Sequence, residues 1–182
     1  YNDADQGVIG CGQPTFNWGW NNTFNYKNFD FSFFVVGFHG FDIYNATHQM
    51  GYNLIKSQQV AGVTPMRELL NRWTPTNTNT NIPGFVNGGT ENKDFFSTRF
   101  VENGSFIKMK SITLGYTLPE TACRALGITN LRVYASVQNP FHITNYSGLD
   151  PEATMGSPLV QGVDWGSYPN SRNYLIGLNF SF

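Results

Sequence analysis

The stretch FNWGWNNTFNY, Phe16 to Tyr26, decides the fold of this chain. Its even positions are Phe16, Trp18, Trp20, Asn22, Phe24 and Tyr26, and its odd positions are Asn17, Gly19, Asn21, Thr23 and Asn25. A pleated strand turns successive side chains to opposite faces, so one face here is aromatic and the other carries amides, a hydroxyl and a glycine. After the short break Lys27-Asn28, residues Phe29, Phe31, Phe33 and Val35 alternate with Asp30 and Ser32, and both parities turn apolar through Phe38. This predicts a second strand joined to the first by a tight turn. Three further segments repeat the signature. In Ile107–Leu118, Ile112, Leu114, Tyr116 and Leu118 oppose Ser111, Thr113, Gly115 and Thr117; in Leu131–Ile143, Leu131, Val133, Ala135 and Val137 oppose Arg132, Tyr134, Ser136 and Gln138. At the chain end Tyr174, Ile176, Leu178, Phe180 and Phe182 share one face, opposite Asn173, Gly177, Asn179, Ser181 and the lone apolar Leu175.

The medium these faces meet follows from composition. Of 182 residues, 16% are aromatic and only 13% charged, about half the usual quarter for soluble proteins. No stretch approaches the roughly 20 consecutive apolar residues of a membrane-spanning helix; the densest run is Phe33-Phe34-Val35-Val36-Gly37-Phe38. The remaining way across a bilayer is a closed sheet, whose alternation keeps the mean hydropathy modest, here −0.30. The expected fold class is therefore all-β: strands of an antiparallel transmembrane β-barrel. Lys108 and Lys110 fall on the otherwise apolar parity, so the upper half of the third strand is expected to project beyond the bilayer. A net charge of −1, with eleven scattered Lys and Arg residues, offers no field for nucleic acid. The start at Tyr1, with no Met and no basic or apolar leader, leads us to expect a missing upstream part.

Connections alternate short, long, short, long. Outer-membrane barrels put short turns in the periplasm and long loops outside, which places the carboxyl end in the periplasm. Within the first long connection a helical turn is expected at Pro65–Arg72, with Thr64 as N-cap, followed by the loop-forming Thr74-Pro75-Thr76-Asn77-Thr78-Asn79-Thr80-Asn81. Another helical turn is expected between Pro119 and Gly127, the glycine as C-terminal cap. This orientation separates Cys11, outside, from Cys123, in the periplasm, by an apolar band about 25 Å tall. They are expected not to be bonded to each other, since a disulfide allows roughly 7 Å between Cα atoms.

Several ordered segments resemble one family. NRWTPTNTNTNIP (Asn71 to Pro83), RFVENGSFIKMKSITLGYTLP (Arg99 to Pro119), LRVYASVQNPFHITNYSGLDPE (Leu131 to Glu152) and the terminal stretch from Tyr168 to Phe182 are similar to segments of the SusC/RagA type of TonB-dependent outer-membrane transporters, in the same order. Phe24–Asp30 and Gly40–Asn45 also resemble it. The resemblance implies a barrel of about 22 strands with a plugged lumen. Residues 1–182 would then be its carboxyl-terminal barrel segment, with the plug and earlier strands upstream. It implies uptake of an oligosaccharide or peptide at the outer membrane of a Gram-negative bacterium, with a SusD-like surface lipoprotein as lid and TonB acting through the missing amino-terminal part. It also implies that the alternation of Tyr174, Ile176, Leu178, Phe180 and Phe182 is the signal read by the outer-membrane assembly machinery, the plainer alternative being the edge strand of a soluble sheet.

Residues able to carry chemistry are few. His39, His48 and His142 show no metal-ligand spacing. Asp3-Ala4-Asp5 is too little for a calcium loop, although the family carries such a loop just upstream. Asp150-Pro151-Glu152 reads as a turn-fixing element rather than an acid/base pair. Trp73, Trp165, Tyr168 and Asn170 are candidates for ligand or lid contact, offering flat rings and amides. No cofactor and no catalytic residue are expected. Two rival functions remain: a barrel enzyme of lipase or protease type, drawing on His39 or His142, and a soluble carbohydrate-binding β-sandwich. The sandwich should have polar outer faces, whereas all five segments keep one apolar face.

Overall fold

The computed structural model describes residues 6–52, 66–84, 97–155 and 160–182. In chain order the elements are β1 (Phe16–Tyr26), β2 (Phe29–His39), β3 (Asp42–Asn45), helix α1 (Ala46–Tyr52), β4 (Val101–Asn103), β5 (Phe106–Thr117), helix α2 (Glu120–Ala125), β6 (Asn130–Thr144), β7 (Val163–Asp164) and β8 (Asn173–Ser181). The five segments expected as strands are β1, β2, β5, β6 and β8. They form one sheet in that order, with every neighbouring pair antiparallel. The sheet is open, with β1 and β8 at its edges.

The register lines up the apolar parities. One row runs Phe24, Phe31, Leu114, Ala135, Ile176; the next runs Tyr26, Phe29, Tyr116, Val133, Leu178. The alternate row Thr23, Ser32, Thr113, Ser136, Leu175 is polar up to its last member, and Thr113 and Ser136 hydrogen-bond across it at 2.9 Å. A one-residue slip would put each of these sets on the wrong face, so the pattern itself pins the register. Ile176 is 84% exposed and Leu178 61%. In water such a face would be an aggregation site, whereas hydrocarbon solvates it. Glycines thin the sheet where large rings cross it: Trp18 lies over Gly37 and Tyr134 over Gly177, where a Cβ would come within 2.3 Å of the ring in each case. On the polar face Arg132 reaches across β5 to Asp30, Nε donating to Oδ1 at 2.9 Å. Gly115 lies between them and leaves that path open.

The parity read for Lys108 and Lys110 is corrected. Val35 pairs with Met109 and Phe34 with Ser111, which leaves Lys110 as an extra residue on β5; on β6 it faces Asn139 and Pro140. One inserted residue reverses the phase of a period-two pattern. Above the bulge, then, Ile107 and Met109 continue the apolar face, while Phe106 and Lys108 turn to the polar face and are buried. Lys108 does not project beyond the wall: connections that fold over the polar side enclose it. Asn139, at φ +50°, supports the irregularity by donating from its amide to the Ser171 carbonyl at 3.1 Å.

Turn chemistry follows the sequence. Lys27, at φ +53°, makes the two-residue turn between β1 and β2. Pro119 precedes α2, and Gly127, at φ +71°, follows it with its N–H on the Arg124 carbonyl. The helical turn expected from Pro65 is a 3-10 turn, Arg67–Asn71, with no side-chain cap; Thr64 and Pro65 lie outside the described residues. Among Thr74–Asn81, Thr74 and Asn77 exchange backbone hydrogen bonds at 3.0 and 3.1 Å. Cys11 is exposed, Cys123 is buried, and both are free thiols.

The long connections are more than loops. The one between β2 and β5 supplies β3 and β4, the one between β6 and β8 supplies β7, and the three form a second sheet in the order β4-β3-β7, β3 lying parallel to β7. This cap has its own core. Phe41, Ile43, Phe106 and Tyr146 form one cluster, packed also by Phe38, and Tyr44, Ala46 and Phe100 form another. Phe38 and Phe106 belong to the polar-side parity of the wall, so the cap is rooted on that side.

Candidate functional site

Two features of the cap combine charge with burial. The first is an ion network. Above the bulge, Lys108, with a side chain 2% exposed, donates to Asp150 at 2.9 Å and to Glu152 at 2.7 Å, and Lys110 donates to the other oxygen of Glu152. Asn170 completes it: its backbone N–H and its amide each lie 3.1 Å from Asp150 Oδ2, and the amide also reaches Glu152 at 2.9 Å. Burial alone would push the Asp150 carboxyl up. The Lys108 ammonium and the N–H groups of Asn170 and Glu152 outweigh it and hold the group below the usual carboxylate range. Asp150-Pro151-Glu152 thus fixes a turn, as expected, and also ties both ends of the last long connection to β5. Around it, Tyr146 donates to Asp164 at 2.5 Å, and burial followed by that carboxylate pushes its phenol up. The other oxygen of Asp164 accepts from the N–H groups of Gly166 and Ser167 at 2.9 Å.

The second feature is a cleft of about 490 Å³ in the connection between β2 and β5. Its apolar lining is Phe100 and Ile82, both buried. His48 and Tyr52 come from α1, Glu68 from the 3-10 turn and Arg99 from the turn before β4, with Asn71 and Asn81 also on the lining. The parts hold one another. The Tyr52 hydroxyl donates to Glu68, the Arg99 guanidinium lies 5.3 Å over the Tyr52 ring, and Arg99 Nη1 donates to the Asn81 carbonyl at 2.6 Å. His48 sits edge-on to Tyr52 with centroids 4.8 Å apart, and its two ring nitrogens lie 3.6 Å from Glu68 and 3.7 Å from Glu102. Glu102 is itself held by Asn45 at 3.0 Å and by the Ser147 N–H and hydroxyl, each at 2.8 Å, so the two long connections meet there. The hydrogen bond from Tyr52, then the nearby His48 and Arg99, hold the Glu68 carboxyl below its ordinary range against the opposing effect of burial.

The sequence candidates fall in separate places. Trp165 and Tyr168, 60% and 89% exposed, stand on the connection leading to β8. Asn170 follows them, but its amide is engaged by Asp150 and Glu152. Trp73, 47% exposed, is on the other connection, against Gly84. Tyr174, Ile176, Leu178, Phe180 and Phe182 form an exposed row on the apolar side of the edge strand. His39 stacks on Phe16 in the apolar row, whereas His142 is opposite Lys108 on the other face, so the two strand histidines do not converge. Asp3 and Asp5 lie outside the described residues. Sequence reasoning missed the Lys108 network, although charge on an apolar parity was its visible signal. It also missed the His48, Glu68 and Arg99 cleft, which no local spacing announces.

Comparison with known proteins adds scale. No protein-family model matches the chain. It is 36% identical over 185 residues to TonB-dependent receptor P3 of Formosa agariphila, a match covering 98% of this chain and 17% of that receptor. It is 32% identical over 165 residues to TonB-dependent receptor SusC of Bacteroides thetaiotaomicron, covering 90% of this chain and 15% of SusC. Among solved structures it is similar to the RagAB peptide importer in its open-open state, with a TM-score of 0.76, 28% identity, and coverage of 93% of this chain and 17% of that one. The closed-closed state of the same importer gives a TM-score of 0.78 at 27% identity, over 94% of this chain and 18% of that one. The chain thus spans less than a fifth of the length of these relatives.

Proposed function

Because this chain belongs to the TonB-dependent receptors of the SusC/RagA type, we propose that the protein it represents imports nutrients across the outer membrane of a Gram-negative bacterium, driven through TonB. The observation that carries this reading is the pair of opposite faces of the five-stranded wall: continuous apolar rows for lipid on one side, polar rows on the other. Five strands with two open edges do not close in lipid, so residues 1–182 act as one segment of a larger barrel, with a plug contributed from elsewhere in the protein. In that scheme this segment supplies wall and outer cap. Its terminal row from Tyr174 to Phe182 serves the assembly machinery, and its exposed Trp73, Trp165 and Tyr168 meet ligand or lid. SusC and the RagAB importer as relatives favour a SusD-like lipoprotein as that lid, and an oligosaccharide or peptide as cargo.

Named relatives that are receptors and an importer favour transport over the barrel-enzyme reading. The exposed apolar rows disfavour the soluble sandwich. The test is uptake by cells that carry the full-length protein. Import of an oligosaccharide or peptide should require functional TonB and an energised inner membrane, while surface binding should survive loss of TonB. Unchanged uptake without TonB would replace this reading with a simple porin. Chemical conversion of the ligand by the purified protein would replace it with an enzyme.

A further inference from the structure

The cleft on the cap has a chemistry that separates the two classes of cargo. Its lining sets the buried apolar Phe100 and Ile82 among polar and charged side chains, and its volume of about 490 Å³ lies in the range of small-ligand sites and is enough for one or two residues of a chain. Sugars are commonly held by a ring offered flat to the pyranose. Here the ring at the rim, Tyr52, already carries the Arg99 guanidinium over its face, with His48 edge-on beside it. What the rim offers instead is a pair of opposite charges around that ring, Glu68 at its hydroxyl and Arg99 over its face. The Glu68 carboxylate is 61% exposed and positioned by the Tyr52 hydroxyl, and the Arg99 guanidinium is anchored by the Asn81 carbonyl. Both are held by neighbours, so a ligand would meet groups already arranged, with little ordering left to do on binding. Neutral hydroxyls gain little from such a pair. A peptide carrying an ammonium or guanidinium group and a carboxylate can engage both through charge-assisted hydrogen bonds.

We propose that this cleft is a binding subsite for a charged stretch of an oligopeptide, with Glu68 receiving a cationic group and Arg99 a carboxylate. The assignment rests on the import reading for the presence of a cargo, and deepens it by naming the cargo's class. The test uses the full-length protein in detergent, by calorimetry, with four probes: the pentapeptide Gly-Lys-Gly-Asp-Gly, its variant with Asp in place of the Lys, its capped analogue with Gln and Asn in place of Lys and Asp, and maltopentaose. The charged peptide should bind most tightly. Glu68→Gln and Arg99→Met should each weaken it about tenfold, the scale of one charge-assisted hydrogen bond, and leave the weaker binding of the capped analogue unchanged. Glu68→Lys should shift the preference towards a peptide with Asp in place of the Lys. Thermal unfolding of each variant shows whether the exposed substitutions have left the fold intact. If the charged peptide binds no better than its capped analogue, or binds the wild type and folded variants equally well, the subsite is overturned while import stands. Tightest binding of maltopentaose would overturn the peptide class. Failure of import itself is read separately, from TonB-independent uptake in cells.

Discussion

The wall and the cap are built from one chain by opposite means. In the wall, neighbours in space repeat a single period, the register follows from that period, and the large side chains of one face remain exposed, Phe24 at 55% and Ile176 at 84%. In the cap, strands of two to four residues are held by contacts between distant parts of the chain: Phe41 with Phe106, Asn45 with Glu102, Lys108 with Asp150. The wall is completed by lipid and by further strands, whereas the cap carries its own core and its own ion network. Their junction is the bulge at Lys110, which takes β5 from one regime to the other. In this wall, a charge lying out of phase marks the place where the phase itself changes.

The largest effect should come at that junction. Lys108→Met leaves Asp150 and Glu152 facing each other without their buried cation, and removing one partner of a buried pair costs about 3–5 kcal/mol. The measurement is the protease sensitivity and unfolding free energy of the refolded full-length barrel. A loss below about 1 kcal/mol would mean that the network contributes no more than a surface pair. The same network gives a pH dependence. The folded-state carboxyl of Asp150 titrates below its unfolded value, so its contribution is present above the unfolded pKa, near 4, and is lost as pH falls through the folded pKa. Protease protection of the connection between β6 and β8 should therefore fail on acidification. In Lys108→Met that dependence should flatten or reverse.

Next in size is the wall's own signature. Leu178→Arg on the apolar face should cost about 2–4 kcal/mol near the bilayer midplane, and less toward the interface. Asn179→Arg, one residue along and on the other face, should be milder. Equal refolding yields of the two variants in lipid vesicles would remove the face assignment. The smallest effect belongs to neither regime. Arg124 and Glu120 form an exposed pair on α2 at 3.3 Å, and Arg124→Ala should change stability by about 0.3–0.5 kcal/mol, less at high salt. A larger change would show that this short-turn end carries more load than its exposure suggests.

Much of the wall was legible because its information is local. Phe16–Tyr26 announces its own faces, and the observed strand has those bounds. The turns at Lys27-Asn28 and Pro119–Gly127 need no distant partner to be read. The candidate contacts are less legible: Asn170 offers an amide suited to a ligand, yet the fold engages it with two carboxylates, and neither Glu68 nor Arg99 stands out in a loop rich in polar residues.

The period-two alternation is written in the residues themselves, and with it come the five strands, their two faces away from the bulge and the medium each face requires. A strand's side-chain directions depend only on its own backbone, and matching of greasy with greasy across neighbours does the rest. Only in the folded chain does Lys110 become an extra residue, does Lys108 turn to the polar side, do two long connections share one sheet, and does one of them bring its own distant residues together around a cleft. A bulge exists only relative to the partner strands that it fails to match, and an ion pair between residues 42 positions apart exists only once the intervening chain has returned to the same place.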